Sequence, residues 1–322
     1  MPRVTGLRVV TAADDAYQPQ AEVLARSLAL SQTAPTHLTV LGTGWTSAQE
    51  SRLAEAGLGR LEVEVIEPID PRAAQVPVLR HGFPPAATYS VLAAELSQFD
   101  GERRIVYLDA DTIVREPLHE IVAREMTSPV AAVADAHIAM MGMPSMWRPW
   151  REEGVDPTAP YLNTGVMVID VDLWRTRGVT DDVFRLLSKY PLPCVDQDAL
   201  NLLLAGSFDR LEPRWNLMPY HLMRLLRTSD LVEDVDELDD AIANPGIIHY
   251  HRSFLGKPWQ IGCTHPGRGL WRTLARDLGW RRRSVSVRDL VRNAGARAVG
   301  MSSLDPRAGR LANLAWTDSL TG

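Results

Sequence analysis

Two carboxylates with one residue between them, Asp109 and Asp111, close the short apolar run Arg104-Ile105-Val106-Tyr107-Leu108. Ile, Val, Tyr and Leu in succession read as a buried strand. Side chains alternate along extended chain, so both Asp residues can turn toward a common point once the strand bends. Two bare carboxylates about 4 Å apart repel by roughly 4 kcal/mol at an effective dielectric of about 20. Such a pair favours a cation. Hard oxygen ligands suit Mg2+ or Mn2+, which bridge in turn to phosphate oxygens. A plain turn is the alternative, with Asp111 capping a helix that Pro117 opens.

Elements on either side must position that pair. Leu7 to Thr11 reads as a strand, followed by a helix whose stripe is Val23, Leu24, Ser27, Leu28 and Ser31. His37 to Leu41 is a second strand, and Ser47-Ala48-Gln49-Glu50 a capping box opening a helix that Gly57 stops. Leu61 to Val65 alternates as a strand with one wet face. Residues 68–86 read as a Pro-rich loop, and Thr88 to Leu96 as a helix leading into the central strand. Strands follow at Val130 to Ala134, which ends in Asp135, and at Tyr161 to Asp170. Helices follow at Thr180 to Lys189 and Asp198 to Leu204, then a short strand at Ile247 to His249 and a helix from Trp271 to Leu278. Alternating strand and helix predict an α/β fold, three layers around a mostly parallel sheet. The expected division is one domain over residues 1–265 and a C-terminal helical extension over 266–322.

Composition excludes several classes. The formal charge is 34 − 40 = −6, which argues against a general affinity for nucleic acid. Cys194 and Cys263 supply no disulfide framework and no metal-ligand spacing, which suits a reducing cytoplasm. Neither a secretory signal nor a membrane-spanning apolar run is visible, so the expectation is a soluble cytoplasmic protein.

Four motifs in order resemble glycosyltransferase family 8, the group of glycogenin and bacterial α-galactosyltransferases. They are Thr11-Ala12-Ala13-Asp14-Asp15-Ala16-Tyr17, Tyr107-Leu108-Asp109-Ala110-Asp111-Thr112, Tyr161-Leu162-Asn163-Thr164-Gly165-Val166 and Asp196-Gln197-Asp198-Ala199-Leu200-Asn201. Ile248-His249-Tyr250 with Gly256-Lys257-Pro258-Trp259 matches less closely. The resemblance implies a GT-A fold, a nucleotide-sugar donor (UDP-glucose or UDP-galactose), Mn2+ or Mg2+, and transfer with retention to a small-molecule or glycan acceptor. It implies that Asp109, Asp111 and a His bind the metal, and imidazole beside carboxylate leans toward Mn2+. It assigns Thr11, Ala12, Asp14, Tyr17 and Ala110 to the nucleotide, with Tyr17 stacked on the base, and Gly256-Lys257 to the phosphates. Asp135, Asn163, Thr164, Asp196 and Gln197 would face the donor sugar, with Gln197 beneath it. An amide is a weak nucleophile, so front-face transfer is expected. A core tyrosine, caps and turns are the plain alternatives for Tyr17 and the strand-end polar residues.

Two departures stand out. Relatives often carry a basic residue on the helix before the metal strand, where this chain reads Tyr89-Ser90-Val91-Leu92; Arg80 or His81 is the candidate replacement. The late motif is also longer, with no Gly soon after its His, leaving His249 and His251 as rival ligands. A metal ligand must be held within about 0.5 Å, which a packed strand end does better than a loop, so His249 is expected. Other readings are a degenerate nucleotide-sugar-binding protein and a haloacid-dehalogenase-type phosphatase, whose Asp-x-Asp lies on the first strand. Trp147 and Trp150 offer either acceptor stacking or a core plug. Arg281-Arg282-Arg283, Arg288 and Arg292 flank a small apolar stripe. Packing back or disorder is favoured there over membrane contact, and the segment is expected to be dispensable for catalysis.

Overall fold

The strand Arg104–Leu108 is buried along its whole length, and its alternation feeds two cores at once. Ile105 and Tyr107 join one apolar cluster while Val106 and Leu108 join another on the opposite face. The computed structural model describes residues 6–72, 76, 85–143, 149–223, 235–281 and 287–316. Arg80, His81, Trp147, Arg282 and Arg283 lie outside the described residues, as do the side chains of Arg288 and Arg292.

The first elements are β1 (Leu7–Ala12), α1 (Gln18–Ser31), β2 (Thr36–Leu41), α2 (Ser47–Ala56), β3 (Leu61–Ile66), β4 (Arg104–Leu108) and β5 (Thr112–Val114). Then come α3 (His119–Val122), β6 (Val130–Ala134), β7 (Leu162–Asp170), α4 (Val171–Thr176), α5 (Val179–Lys189), α6 (Val195–Leu204) and β8 (Asp209–Arg210). The last are α7 (Val235–Ala243), β9 (Ile247–His249), α8 (Arg268–Asp277), α9 (Val287–Ser303) and α10 (Pro306–Ala315). The main sheet runs β3-β2-β1-β4-β7-β6-β8. Its β3/β2, β2/β1, β1/β4 and β6/β8 pairs are parallel, and β7 is antiparallel to both neighbours. Helices α1 and α2 cover one face, α5 and α6 the other, giving the expected three layers. Among the described residues no helix is long and apolar enough to cross a membrane.

Two local readings shift. The capping box of α2 is Thr46 with Gln49, one residue earlier than Ser47 with Glu50. Both spacings fit the pattern; in the fold the Thr46 hydroxyl accepts from the Gln49 backbone at 3.3 Å, and the Gln49 amide oxygen accepts from the Thr46 backbone at 2.9 Å. The segment before β4 is a tight 3-10 coil, Pro85–Glu95, rather than an α-helix. Thr88 to Ala94 is buried without interruption, so no wet face exists for a 3.6-residue period to mark.

The last helix, α10, packs against α7. Ala308, Ala312 and Trp316 share an apolar cluster with Ile248, Tyr250 and Trp271. Trp316 stacks on His265 and donates its indole N–H to the Ile242 carbonyl at 2.7 Å. Packing back, one of the two expected states, is thus what α10 adopts. Truncation after Trp280 should lower stability by about 3–5 kcal/mol, the scale for losing a buried Trp, with catalytic loss following from unfolding. A truncated chain that melts with the full-length protein would refute this.

Candidate active site

The chain leaves the main sheet between Leu108 and Thr112. Strand β5 does not continue alongside β7 but pairs antiparallel with β9 in a separate ribbon. Asp109, Ala110 and Asp111 occupy the turn between the two sheets. The Asp109 backbone N–H donates to the Gly165 carbonyl at 2.8 Å, and the Tyr250 N–H to the Asp111 carbonyl at 2.9 Å. In the ribbon Thr112 pairs with His249, which brings the imidazole beside the residue preceding Thr112. Asp109, Asp111 and His249 each offer a ligand atom within 4.8 Å of the others. His251 is not in that group; its ring lies 5.1 Å from that of His249 and stacks on Tyr220 at 5.5 Å.

The donor set fits a divalent ion. His249 Nδ1 lies 3.0 Å from the Asn216 amide oxygen, which only accepts, so Nδ1 carries the hydrogen. Nε2 then presents its lone pair 3.5 Å from Asp109 Oδ2 and 3.3 Å from Asp111 Oδ1, with no hydrogen-bond partner. A buried acceptor facing two carboxylates is unfavourable unless a cation lies between them. The carboxylates themselves are held unequally. Burial pushes the Asp109 carboxyl up, and the neighbouring Asp111 carboxylate adds to the rise. The Asp109 side chain is 40% exposed on a cavity, so water moderates the effect. Burial would push Asp111 up too, but the Lys257 ammonium overcomes it and holds the carboxyl well below the usual range. Lys257 Nζ donates to Asp111 Oδ2 at 2.6 Å.

These residues floor a cavity of about 670 Å3. At one end lie Ala12, Asp14 and Tyr17. Asp14 caps the turn that carries Tyr17, accepting from its N–H at 3.1 Å, and Tyr17 meets Trp259 edge-on. Thr11 is fully buried in β1, and neither it nor Gly256 lines the cavity. Gly256 has φ +72°, a conformation that lets the backbone turn immediately before Lys257. Asp135, Asn163, Thr164, Asp196 and Gln197 line the middle. They mostly bond one another. Asn163 donates to Asp135 at 2.8 Å and to Gln197 at 3.2 Å, and its oxygen accepts from Gly165 N–H and from Asn216. The Gln197 oxygen also accepts from Thr164 N–H at 3.1 Å, while its amide donates to Asp135 at 3.3 Å. One network thus runs from Asp135 through Asn163 and Asn216 to the imidazole of His249.

Several residues escaped the sequence reading. Asn216 had no motif around it. Gly165 lies inside a recognised motif, yet its role is spatial: an added Cβ would come 2.2 Å from His249 Cε1. The Ser90 hydroxyl donates to Asp196 at 2.5 Å. Burial pushes the Asp196 carboxyl up to about 7, against the pull of that hydrogen bond. Val195, just before it, holds φ +43°, a strained value for a β-branched residue. Asn201 grips both backbone groups of Leu162, at 2.7 and 2.9 Å, tying α6 to β7. The other end of the cavity is walled by His137, Tyr220, His251 and Arg252, where Tyr220 is stacked between His137 and His251. Trp150 is buried in the core.

Comparison with known proteins agrees with this geometry. General stress protein A of Bacillus subtilis is 29% identical over 272 residues, covering 81% of this chain and 90% of that protein. A lipopolysaccharide 1,2-glucosyltransferase of Escherichia coli is 28% identical over 185 residues, 55% of this chain and 50% of its own length. Among solved structures, the galactosyltransferase LgtC in complex with donor and acceptor sugar analogues superposes with a TM-score of 0.68 at 22% identity. That match covers 90% of this chain and 100% of LgtC, and it shows the GT-A fold. The model of Glycosyl transferase family 8 matches residues 8–262, and the chain belongs to that family as a glycosyltransferase.

Proposed function

We propose that the chain transfers a hexose from a nucleotide diphosphate sugar, UDP-glucose or UDP-galactose, to an acceptor hydroxyl with retention. Asp109, Asp111 and His249 would hold Mn2+. The observation that carries this is His249 Nε2, turned to the two carboxylates by Asn216 and left without a hydrogen-bond partner. When bound, the metal neutralises charge building on the departing diphosphate. Lys257 adds a compact cation with three donors on the same side. Ala12, Asp14 and Tyr17 take the nucleoside, and Asp196 and Gln197 lie beneath the sugar. The Gln197 oxygen accepts from Thr164 and Asn163, which weakens it further as a nucleophile. Front-face attack follows, the acceptor hydroxyl entering on the side the diphosphate leaves and passing its proton to a phosphate oxygen. The acceptor, a small molecule or glycan, would approach past His137, Tyr220 and His251. Residues 1–265 form the catalytic unit in this reading, and 266–322 brace it. The thiols of Cys194 and Cys263 suit a reducing cytoplasm.

Mn2+-dependent hydrolysis of UDP-hexose by the purified chain tests the reading, and proton NMR should show the α-hexose released first. A β-hexose as first product, or no turnover with either UDP-sugar, would sink it.

Asp196 adds a pH dependence. Its raised value means the fold favours the protonated acid, so stability is higher at acid pH and is lost as pH rises through about 7. Stabilising positive charge on the sugar needs the carboxylate, so turnover should fall on the acid side. The charge of the bound metal draws that limb below 7. In Ser90→Ala the lost hydrogen bond should move the limb up by about 0.5–1 pH unit. An unshifted limb would exclude ionised Asp196 from the rate.

A further inference from the structure

Asp111 answers to two partners at once. Lys257 Nζ donates to Oδ2 at 2.6 Å, and His249 Nε2 faces Oδ1 at 3.3 Å. The ion pair is well shielded, with side-chain exposures of 17% for Lys257 and 9% for Asp111. Aromatic faces hold the ammonium there. It lies 5.9 Å from the centre of the Tyr17 ring and 5.3 Å from that of Trp259, which packs on Trp271. The loop beneath is pinned as well: Lys257 N–H donates to the Gln260 side chain, and the Gly256 carbonyl accepts from Cys263 Sγ.

A phosphate clamp would need the same three N–H groups. One ammonium cannot fully compensate a buried carboxylate and a diphosphate together. We infer that Lys257 is a built-in cation of the metal site, competing with the divalent ion for Asp111 until a nucleotide diphosphate draws it away. Metal and nucleotide then bind with positive coupling, and linkage makes that coupling equal in both directions. The inference rests on the metal site proposed above and adds the order in which it fills. Lysine chemistry suits the exchange, because a flexible stem can re-aim one point charge between two anions a short distance apart. Tyr17 and Lys257 line the same cavity, so the ammonium can reach an anion bound there.

Mn2+ binding to the full-length chain, read from the electron paramagnetic resonance of free Mn2+, tests this without any turnover. The proteins are the wild type, Lys257→Met, Lys257→Arg and Arg252→Met, each with and without UDP. Methionine keeps the aliphatic packing on Trp259 and removes the charge. Arg252 lines the same cavity, so its loss reports the general field. Without UDP, Lys257→Met should bind Mn2+ about tenfold more tightly than wild type, with Lys257→Arg close to wild type and Arg252→Met within about twofold. UDP should tighten Mn2+ binding more in the wild type than in Lys257→Met. Equal or weaker Mn2+ binding by Lys257→Met without UDP overturns the inference, as does an equal gain in Arg252→Met. If no variant binds Mn2+ even with UDP, the metal reading itself falls. Mn2+ binding that Lys257→Met leaves unimproved overturns the competition and leaves the metal site itself standing.

Discussion

Asp109→Asn and Asp111→Asn should each cut metal-dependent donor turnover by about 10^3-fold or more, the scale of several kcal/mol of lost charge stabilisation. Their effects on stability should differ in sign or size. Asp109 is a carboxylate whose ionised form burial disfavours, and part of its side chain meets water. An uncharged amide of the same shape costs the fold little there. Asp111 is the anion on which Lys257 and His249 converge. Its replacement leaves a largely shielded ammonium unpaired, for about 2–4 kcal/mol at neutral pH. The sign with pH follows from the depressed value. Stability from ionised Asp111 is complete above the ordinary carboxylate range and is lost as pH falls through the folded value. The gap between wild type and Asp111→Asn should therefore narrow below pH of about 4. Urea denaturation across pH, with Mn2+-dependent hydrolysis at pH 7, measures both halves. Normal turnover by either variant in folded form would end the metal assignment.

Gly165→Ala should damage the same centre from behind. Its Cβ would sit 2.2 Å from His249 Cε1 and 2.8 Å from both His249 Nδ1 and Asp109 Oδ2. The imidazole cannot simply step aside, because Asn216 holds Nδ1 and Thr112 pairs with its backbone. Either the ring loses Asn216 or β7 moves away from the turn at Asp109. Mn2+ affinity should fall by about 100-fold, as when a ligand's orienting partner is lost, and overpacking should cost about 1–3 kcal/mol. Wild-type Mn2+ affinity in Gly165→Ala would mean that the site tolerates a displaced imidazole.

The apolar run before Asp109, the alternation of Leu61 to Val65 and the helical stripe of α1 depend on local period, and the structure forms them near where the sequence places them. So does the pairing of two carboxylates that demands a cation. Contacts between distant segments are another matter. No sequence spacing announces Asn216, 33 residues before His249, or the Ser90 hydroxyl meeting Asp196 across 106 residues. The segment Pro85–Glu95 is helical as expected, but its 3-10 form was not legible because burial on every side erases the period that separates the helix types. Packing back of the C-terminal stripe could be expected from its apolar residues, but not its partners, because Trp316 finds His265 and Ile242 only in the fold.

The choice between His249 and His251 shows the division most plainly. Two residues apart on extended chain, they share a side, and the sequence could prefer His249 only through the rigidity of a strand end. The geometry follows from the strand register. Chain leaving β4 changes sheets at Asp109 to Asp111, and the β5/β9 ribbon sets Thr112 opposite His249. His251 falls past the end of that ribbon and turns to Tyr220. A local pattern names residue types able to bind a cation, because ligand chemistry belongs to each side chain. Which of two like side chains joins them depends on backbone hydrogen bonds between strands separated by more than a hundred residues.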